Sequence, residues 1–386
     1  MPKKSYAVLE IGSSKISVMI GQGGVNNTII VKGLSSAEYS GFMDGAFLEP
    51  SEVKFAVGLA LSNAEVSAGE SAKNIVVGLP AEFCFCQSKM VSLSFDGKKR
   101  VTEADVQELF DRANNFKNKS NYTLISSSHI ACFLDDGKRV LSPVGYKSAK
   151  ISTTASLIFT QTSILGFLNN CFKDLGIESV EYQCIALAEA KEFLSNDSRE
   201  LGAVVISSGY LTTSVAIIRG DGLLFLSSFS LGTGHVSADL AQCFNLKFAD
   251  AETLKNKIVL TLKPKSTDTI SLLSNDKCIE FPTEKTNLVV ESRVMQIAGA
   301  ISKCLKMYFE NNKPFMQMFL TGDGLSQIKG AKEVLSKELG RNIELLYPDV
   351  PGYGRPQFSA LFGLIKLAIK NNAKKTLSVF AKFFRK

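Results

Sequence analysis

The sequence contains no tryptophan and only two histidines, His129 and His235, in 386 residues. So little imidazole argues against a histidine-built zinc site or a Ser-His-Asp arrangement. Eight cysteines are present, but none forms a C-x-x-C pair. Cys84 and Cys86 stand two apart on a predicted strand, so they share a face and do not bridge each other. The cysteines read as buried, reduced thiols of a cytosolic protein. No run of about 18 apolar residues occurs, which excludes a transmembrane helix. The nearest candidate, FSALFGLIKLAI, contains Lys366 and reads as a core helix. At the start, MPKKSYAVLEIG is interrupted by Glu10, so no signal peptide is expected. The net charge of +7, from 44 basic and 37 acidic residues, is too dispersed for a nucleic-acid partner. No RNP-type aromatic motif or Cys/His finger is present either.

What is present begins with a duplication. Ala7-Val8-Leu9-Glu10-Ile11-Gly12 lies over Val204-Val205-Ile206-Ser207-Ser208-Gly209, and Ser17-Val18 lies over Ser214-Val215. The alignment leaves room for one or two extra residues in the second turn. Each segment predicts a β-hairpin with a glycine turn. The offset of 197 residues (209 minus 12) is about half the chain, so two related halves are expected, their turns facing each other. Gly12 and Gly209 let the backbone come close to a ligand. Successive N–H groups and the hydroxyls of Ser13, Ser14, Thr212 and Thr213 can surround phosphate oxygens, with Lys15 as a further phosphate candidate. A third element fits the same cleft: an apolar strand (Phe315 to Leu320), the turn TGDG with Gly322 and Gly324, then a helix with the pattern AKEVLSKELG.

The chain ends in KKTLSVFAKFFRK. At roughly 100° per residue, Leu377, Val379, Phe380, Ala381, Phe383 and Phe384 fall on one broad face. Lys374, Lys375, Ser378, Lys382, Arg385 and Lys386 fall on the other. A basic face opposite Phe and Leu marks a helix that lies on an anionic membrane surface.

Together, the two glycine hairpins and the late LTGDG turn resemble the actin-like ATPase superfamily. Within it, the motifs resemble FtsA, the bacterial cell-division family. EIGSSK resembles the family's D-I-G-T-[ST]-K, and SSGYLTTSVAI its D-I-G-G-G-T-T-D-I-A-V. SLGTGHVSADLA resembles P-L-G-G-D-H-I-T-N-D-I-A, and AETLKNK the A-E-x-L-K helix. AEAK within IALAEAKEFL resembles the connecting helix, and LTGDG the adenosine turn. The segment around SPVGYKS resembles the end of the family's inserted domain. These matches run from residue 6 to about 370, each of them degraded.

The resemblance implies an α/β, actin-like (actin/Hsp70/sugar-kinase) two-domain fold with an FtsA-type inserted small α+β domain. The first actin-like subdomain would be 1–80 and 163–198, and the inserted domain 81–162, with a helix capped at Thr102. The second would be 199–245 and 309–370, a partner-binding subdomain 246–308, and a hinge with the amphipathic helix 371–386. It implies ATP and Mg²⁺ as possible cofactors, with Glu252 and Lys255 toward ribose and base, and Gly322 and Gly324 at the adenosine. Glu10 stands where the family has an Asp and could reach a Mg²⁺-bound water. Ser207 and Ser214 replace the two acids of the second turn, and Tyr210 and Leu211 replace two of its glycines. Serine supplies neither a carboxylate for Mg²⁺ nor a base, so rapid ATP hydrolysis is not expected.

The same resemblance implies a filament-forming scaffold on the inner face of the cytoplasmic membrane at the division site. Its partners would be further copies of itself, an anionic membrane surface, other division proteins and the C-terminal peptide of the tubulin-like FtsZ, with Arg293 at that peptide. The membrane-contacting residues would be Lys375, Leu377, Val379, Phe380, Lys382, Phe383, Phe384 and Arg385. Two other readings share the fold: an active actin-like ATPase or kinase, and a pilus-assembly platform protein.

Overall fold

Two hairpins made by the duplicated segments organise the chain. The computed structural model describes residues 4–116, 119–140, 142–274, 277–309 and 315–383, the part after Asn372 by its backbone alone. Strand β1 (Ser5–Ile11) turns into β2 (Lys15–Gly23), and β3 (Ile29–Glu38) follows antiparallel. Beyond β1, β6 (Asn74–Leu79) and β11 (Ser179–Cys184) add in parallel, giving the order β3-β2-β1-β6-β11. The short pair β4 (Phe42–Met43) and β5 (Ala46–Phe47) precedes α1 (Pro50–Ala68). The strands are almost continuously apolar because helices cover both faces. Leu9, Ile16 and Val18 pack against α1 and α3 (Thr162–Asp174). Val8 and Met19 pack against α4 (Ile185–Phe193) and α10 (Ser359–Phe383).

The second half repeats the plan. Antiparallel β12 (Ala203–Ser208), β13 (Thr213–Arg219) and β14 (Gly222–Phe229) are followed by parallel β17 (Gln317–Thr321) and β18 (Ile343–Leu345), in the order β14-β13-β12-β17-β18. The two turns close alike: Gly12 N–H donates to Lys15 O at 3.0 Å and Gly209 N–H to Thr212 O at 2.9 Å. Glu10 pairs across its hairpin with Ser17, and Ser207 with Ser214. The turns therefore have equal length, and the extra residues allowed for in the second are not there. Hairpin register sets the count of residues between paired strands.

The second sheet is covered by α6 (Thr233–Phe244), α8 (Thr283–Phe309) and α9 (Ala331–Leu339). The buried residues Val290, Val294, Ile297 and Ile301 follow the helical period on α8. α5 (Asn196–Leu201) leads into the half, while α7 (Phe248–Lys255) and the hairpin β15 (Thr269–Ser274)/β16 (Lys277–Pro282) extend it outward.

Inserted within the first half, between β6 and α3, is a separate sheet of β7 (Cys84–Arg100), β8 (Tyr122–Phe133), β9 (Arg139–Val140) and β10 (Lys147–Gln161), ordered β7-β10-β8-β9. Helix α2 (Glu103–Ala113) packs on it through Leu109 and Phe110 against Ile151 and Phe159. Thr102 forms the capping box: Asp105 N–H donates to its Oγ1 at 3.3 Å, and its own N–H donates to Asp105 Oδ2 at 2.8 Å. Ser156 Oγ donates to Leu223 O at 2.8 Å and accepts from Leu223 N–H at 3.0 Å, tying this sheet to β14.

α10 runs unbroken for 25 residues through Asn371 and Asn372, where the sequence predicts a hinge. The correction has a simple cause: no glycine or proline follows Gly363 within the helix, so nothing interrupts its hydrogen-bond ladder. Among the described residues, no helix is long and apolar enough to cross a membrane.

Candidate functional site

The β1–β2 and β12–β13 turns meet at the line between the halves. Ser13 is the point of contact. Its Oγ accepts from the N–H of Tyr210 at 3.1 Å and of Leu211 at 3.0 Å, so both exposed donors of the second turn are spent on the first. Leu211 packs toward Gly41, and Ser230 Oγ donates to Asp44 Oδ1 at 3.0 Å. The third turn lies on the second. Gly322 has φ +90°, and a Cβ there would stand 2.4 Å from Ser208 O, so both conformation and space require glycine. Gly324 N–H donates to Ser208 O at 2.7 Å. This places Asp323 opposite the first turn, with Oδ2 2.9 Å from Lys15 Nζ.

Enclosed by these turns is a cavity of about 70 Å³, lined by Glu10, Gly12, Ser13, Ser207, Gly209, Thr212, Ser214, Gly322 and Asp323, with Glu82 and Glu189. At about 30 Å³ per water, it has room for roughly two waters. Glu189 is nearly fully buried, with Oε1 3.3 Å from Thr321 Oγ1 and a further hydrogen bond from Ser359 Oγ; its Oε2 has no hydrogen-bond partner. Burial pushes its pKa up to about 7, against the pull of those hydroxyls. Glu10 is pushed up to about 8, first by burial and then by the charge of Asp323, with Lys15 acting the other way.

Beside the cavity, Tyr210 connects the second turn to α7. Its hydroxyl donates to Glu252 Oε1 at 2.8 Å, and Lys255 Nζ donates to Glu252 Oε2 at 2.8 Å while standing 5.2 Å from the ring centroid. A Cβ at Gly234 would lie 2.8 Å from the ring edge, so this glycine makes room for the aromatic side chain. Burial works to raise the Glu252 pKa, but the hydrogen bonds from Lys255 and Tyr210 help to outweigh it and hold the carboxyl below its usual range.

The predicted phosphate residues are brought together unevenly. Gly12, Ser13, Gly209 and Thr212 line the cavity. Ser14 and Lys15 do not, Lys15 being drawn to Asp323 at the rim. Thr213 departs from expectation: it is fully buried, and its hydroxyl donates to Leu231 O at 2.7 Å, because it is the first residue of β13 and points into the sheet packing. Gly322 lines the cavity, whereas Gly324 rests on the backbone of Ser208 and Gly209. Glu252 and Lys255 are held by Tyr210 outside it. Arg293, on α8, makes a two-pronged ion pair with Asp239, both bonds 2.6 Å, beside an open groove lined by Cys243, Leu288 and Val289. Of the tail residues, Phe384 and Arg385 lie outside the described residues. So do the side chains of Lys375, Leu377, Val379, Phe380, Lys382 and Phe383, whose backbone continues α10.

Glu189 and the acceptor role of Ser13 escape a reading of the sequence. A single acid inside the apolar run IALAEA was the available signal for Glu189; nothing local signals which donors Ser13 meets. Among the described residues, no three His, Cys, Asp or Glu side chains come together as a metal site. In this closed arrangement the residues do not fit a Mg²⁺-bound triphosphate. The cavity is far below the roughly 300–1,000 Å³ of small-ligand pockets, and the second turn's amides are occupied.

Two matching five-stranded sheets with facing glycine turns define an actin-like fold. Among solved structures, the chain is similar to the PilM-PilN type IV pilus biogenesis complex, with TM-score 0.65 and 15% identity over 95% of this chain and 99% of that one. It is also similar to MreB 5 of Spiroplasma citri bound to AMPPNP, with TM-score 0.56 and 12% identity over 97% and 98%. Within that class, residues 204–363 match the family described as Cell division protein FtsA. The cell division protein FtsA of Streptococcus pneumoniae is 24% identical over 368 residues, covering 94% of this chain and 80% of that protein. Over nearly its whole length the chain is similar to cell division proteins FtsA, at 21–24% identity.

Proposed function

We propose that this protein is a cell-division scaffold that assembles on the inner face of the cytoplasmic membrane and tethers FtsZ filaments, with a nucleotide cleft that has degenerated. The observation that carries the proposal is the course of α10. Its first part is buried on the first sheet through Leu361, Phe362, Leu364 and Ile365, and the same helix continues into the basic amphipathic segment. A membrane-binding segment is thus joined to the body without a flexible link. The FtsA relatives supply the cell-division context. Ser207 and Ser214 at the cleft support a scaffold rather than an ATPase. Arg293 beside its groove is the proposed contact for an acidic FtsZ peptide, which would share the guanidinium with Asp239. The sheet of β7–β10 offers a surface for other division proteins.

Each basic residue adds about 1 kcal/mol near an anionic leaflet, and folding the tail offsets part of the total. The test is to delete residues 374–386. The full chain is expected to pellet with anionic vesicles and the truncated chain to stay in the supernatant. Pelleting of both would sink the membrane proposal. The likeness to the PilM-PilN complex favours a second reading, a pilus-assembly platform. A full chain that ignores both vesicles and an FtsZ C-terminal peptide would support it instead.

A further inference from the structure

We infer that the closed cleft is held by the chain's own groups in the places of a nucleotide: Ser13 Oγ where a phosphate oxygen would sit, and the Tyr210 ring where the nucleoside would lie. The inference rests on the reading of the cleft as a nucleotide site that no longer uses its ligand. A glycine hairpin turn aims successive N–H groups at an anion. Here two successive donors, from Tyr210 and Leu211, converge on one hydroxyl oxygen supplied by the opposite half. The acceptor takes two N–H donors of a glycine turn, as a phosphate oxygen does, without the charge.

Tyr210 completes the substitution. Its flat ring lies against Gly234 on α6, under the ammonium of Lys255, and its hydroxyl binds the carboxylate of Glu252. A flat π-face, a cation near it and a hydroxyl on a carboxylate are the contacts that a base and its ribose would make. The Lys15–Asp323 ion pair adds a further tie between the halves. A ligand that closes two lobes does so by contacting both. In this chain the groups making those contacts are its own side chains, so the closed state forms with no ligand and a nucleotide meets a filled site.

The experiment has two arms, both on the full-length chain. In the first, amide hydrogen exchange is followed with no nucleotide present. Tyr210 and Leu211 amides are expected to be protected in the wild type. Ser13→Ala is expected to speed both about tenfold, the factor for about 1.4 kcal/mol, and to leave the β12 and β13 amides unchanged. Wild-type amides that exchange like a free peptide, or no change in Ser13→Ala, would overturn the Ser13 latch. In the second arm, ADP binding is measured by calorimetry. Tyr210→Gly is expected to bind at least tenfold more tightly than the wild type, and Tyr210→Phe, which keeps the ring, is not. Equal affinities across the three, or an equal gain in both variants, would overturn the role of the ring. The two arms also separate this inference from the reading beneath it. Protected amides in a wild type that binds ADP tightly would remove the degenerate-site reading and leave the Ser13 latch. Unprotected amides in a wild type that binds no ADP would do the reverse.

Discussion

Glu189 and Glu10 show what single residues contribute. Both are carboxyls in a small enclosed space, and both are pushed up, to about 7 and about 8, from a usual 4.5. The sign follows from linkage. Where the folded state binds protons more tightly than the unfolded chain, stability falls as pH rises. Their contribution is therefore full below pH 4.5 and is lost progressively up to about pH 8. For Glu189 alone, at 1.36 kcal/mol per unit, the loss is about 3 kcal/mol as an upper figure. Denaturant midpoints at pH 5 and pH 8.5 test this. The wild type is expected to lose stability between them, and Glu189→Gln, which keeps the hydrogen bonds without the charge, to lose distinctly less. Identical pH slopes would show that Glu189 stays ionised throughout. Tyr210 teaches a related lesson. In the sequence it is only a bulky intruder among glycines; its partners Glu252 and Lys255 lie more than forty positions on, and the cross-contact exists only after folding.

At the scale of elements, local chemistry was legible where it is self-contained. Thr102 and Asp105 are three apart and close their capping box within one turn, so T-x-x-D sufficed to place the start of α2. Thr102→Ala removes an N-cap and is expected to destabilise the protein by about 1 kcal/mol, seen as a lower denaturation midpoint with an unchanged slope. No change in midpoint would mean that the sheet packing alone sets the helix start. The asparagine pair misled in the other direction: polar residues mimic a linker, but without glycine or proline they do not end a helix, and α10 passes through them. Thr213 was assigned to the turn from its hydroxyl. Register makes it the first residue of β13, and a shift of one residue reverses the face a side chain occupies.

For the whole molecule, the two halves and the tail act together. In the proposed membrane role, one tail alone would bind weakly, and many tails on one assembly would make each further contact intramolecular. Vesicle binding is therefore expected to rise more steeply than linearly with protein concentration, and to weaken as salt screens the basic face. A simple hyperbolic curve at all salt concentrations would mean that each chain binds alone. By itself the sequence determined the duplication, the glycine hairpins, the absence of acids at the second turn and the amphipathic end, because these depend on residue type and spacing within short segments. Only the tertiary structure decided that Ser13 takes the amides of Tyr210 and Leu211, that Tyr210 reaches Glu252, and that Glu189 faces the cleft. Those contacts join segments far apart along the chain, and it is the packing of two sheets and the helices between them that sets their distances.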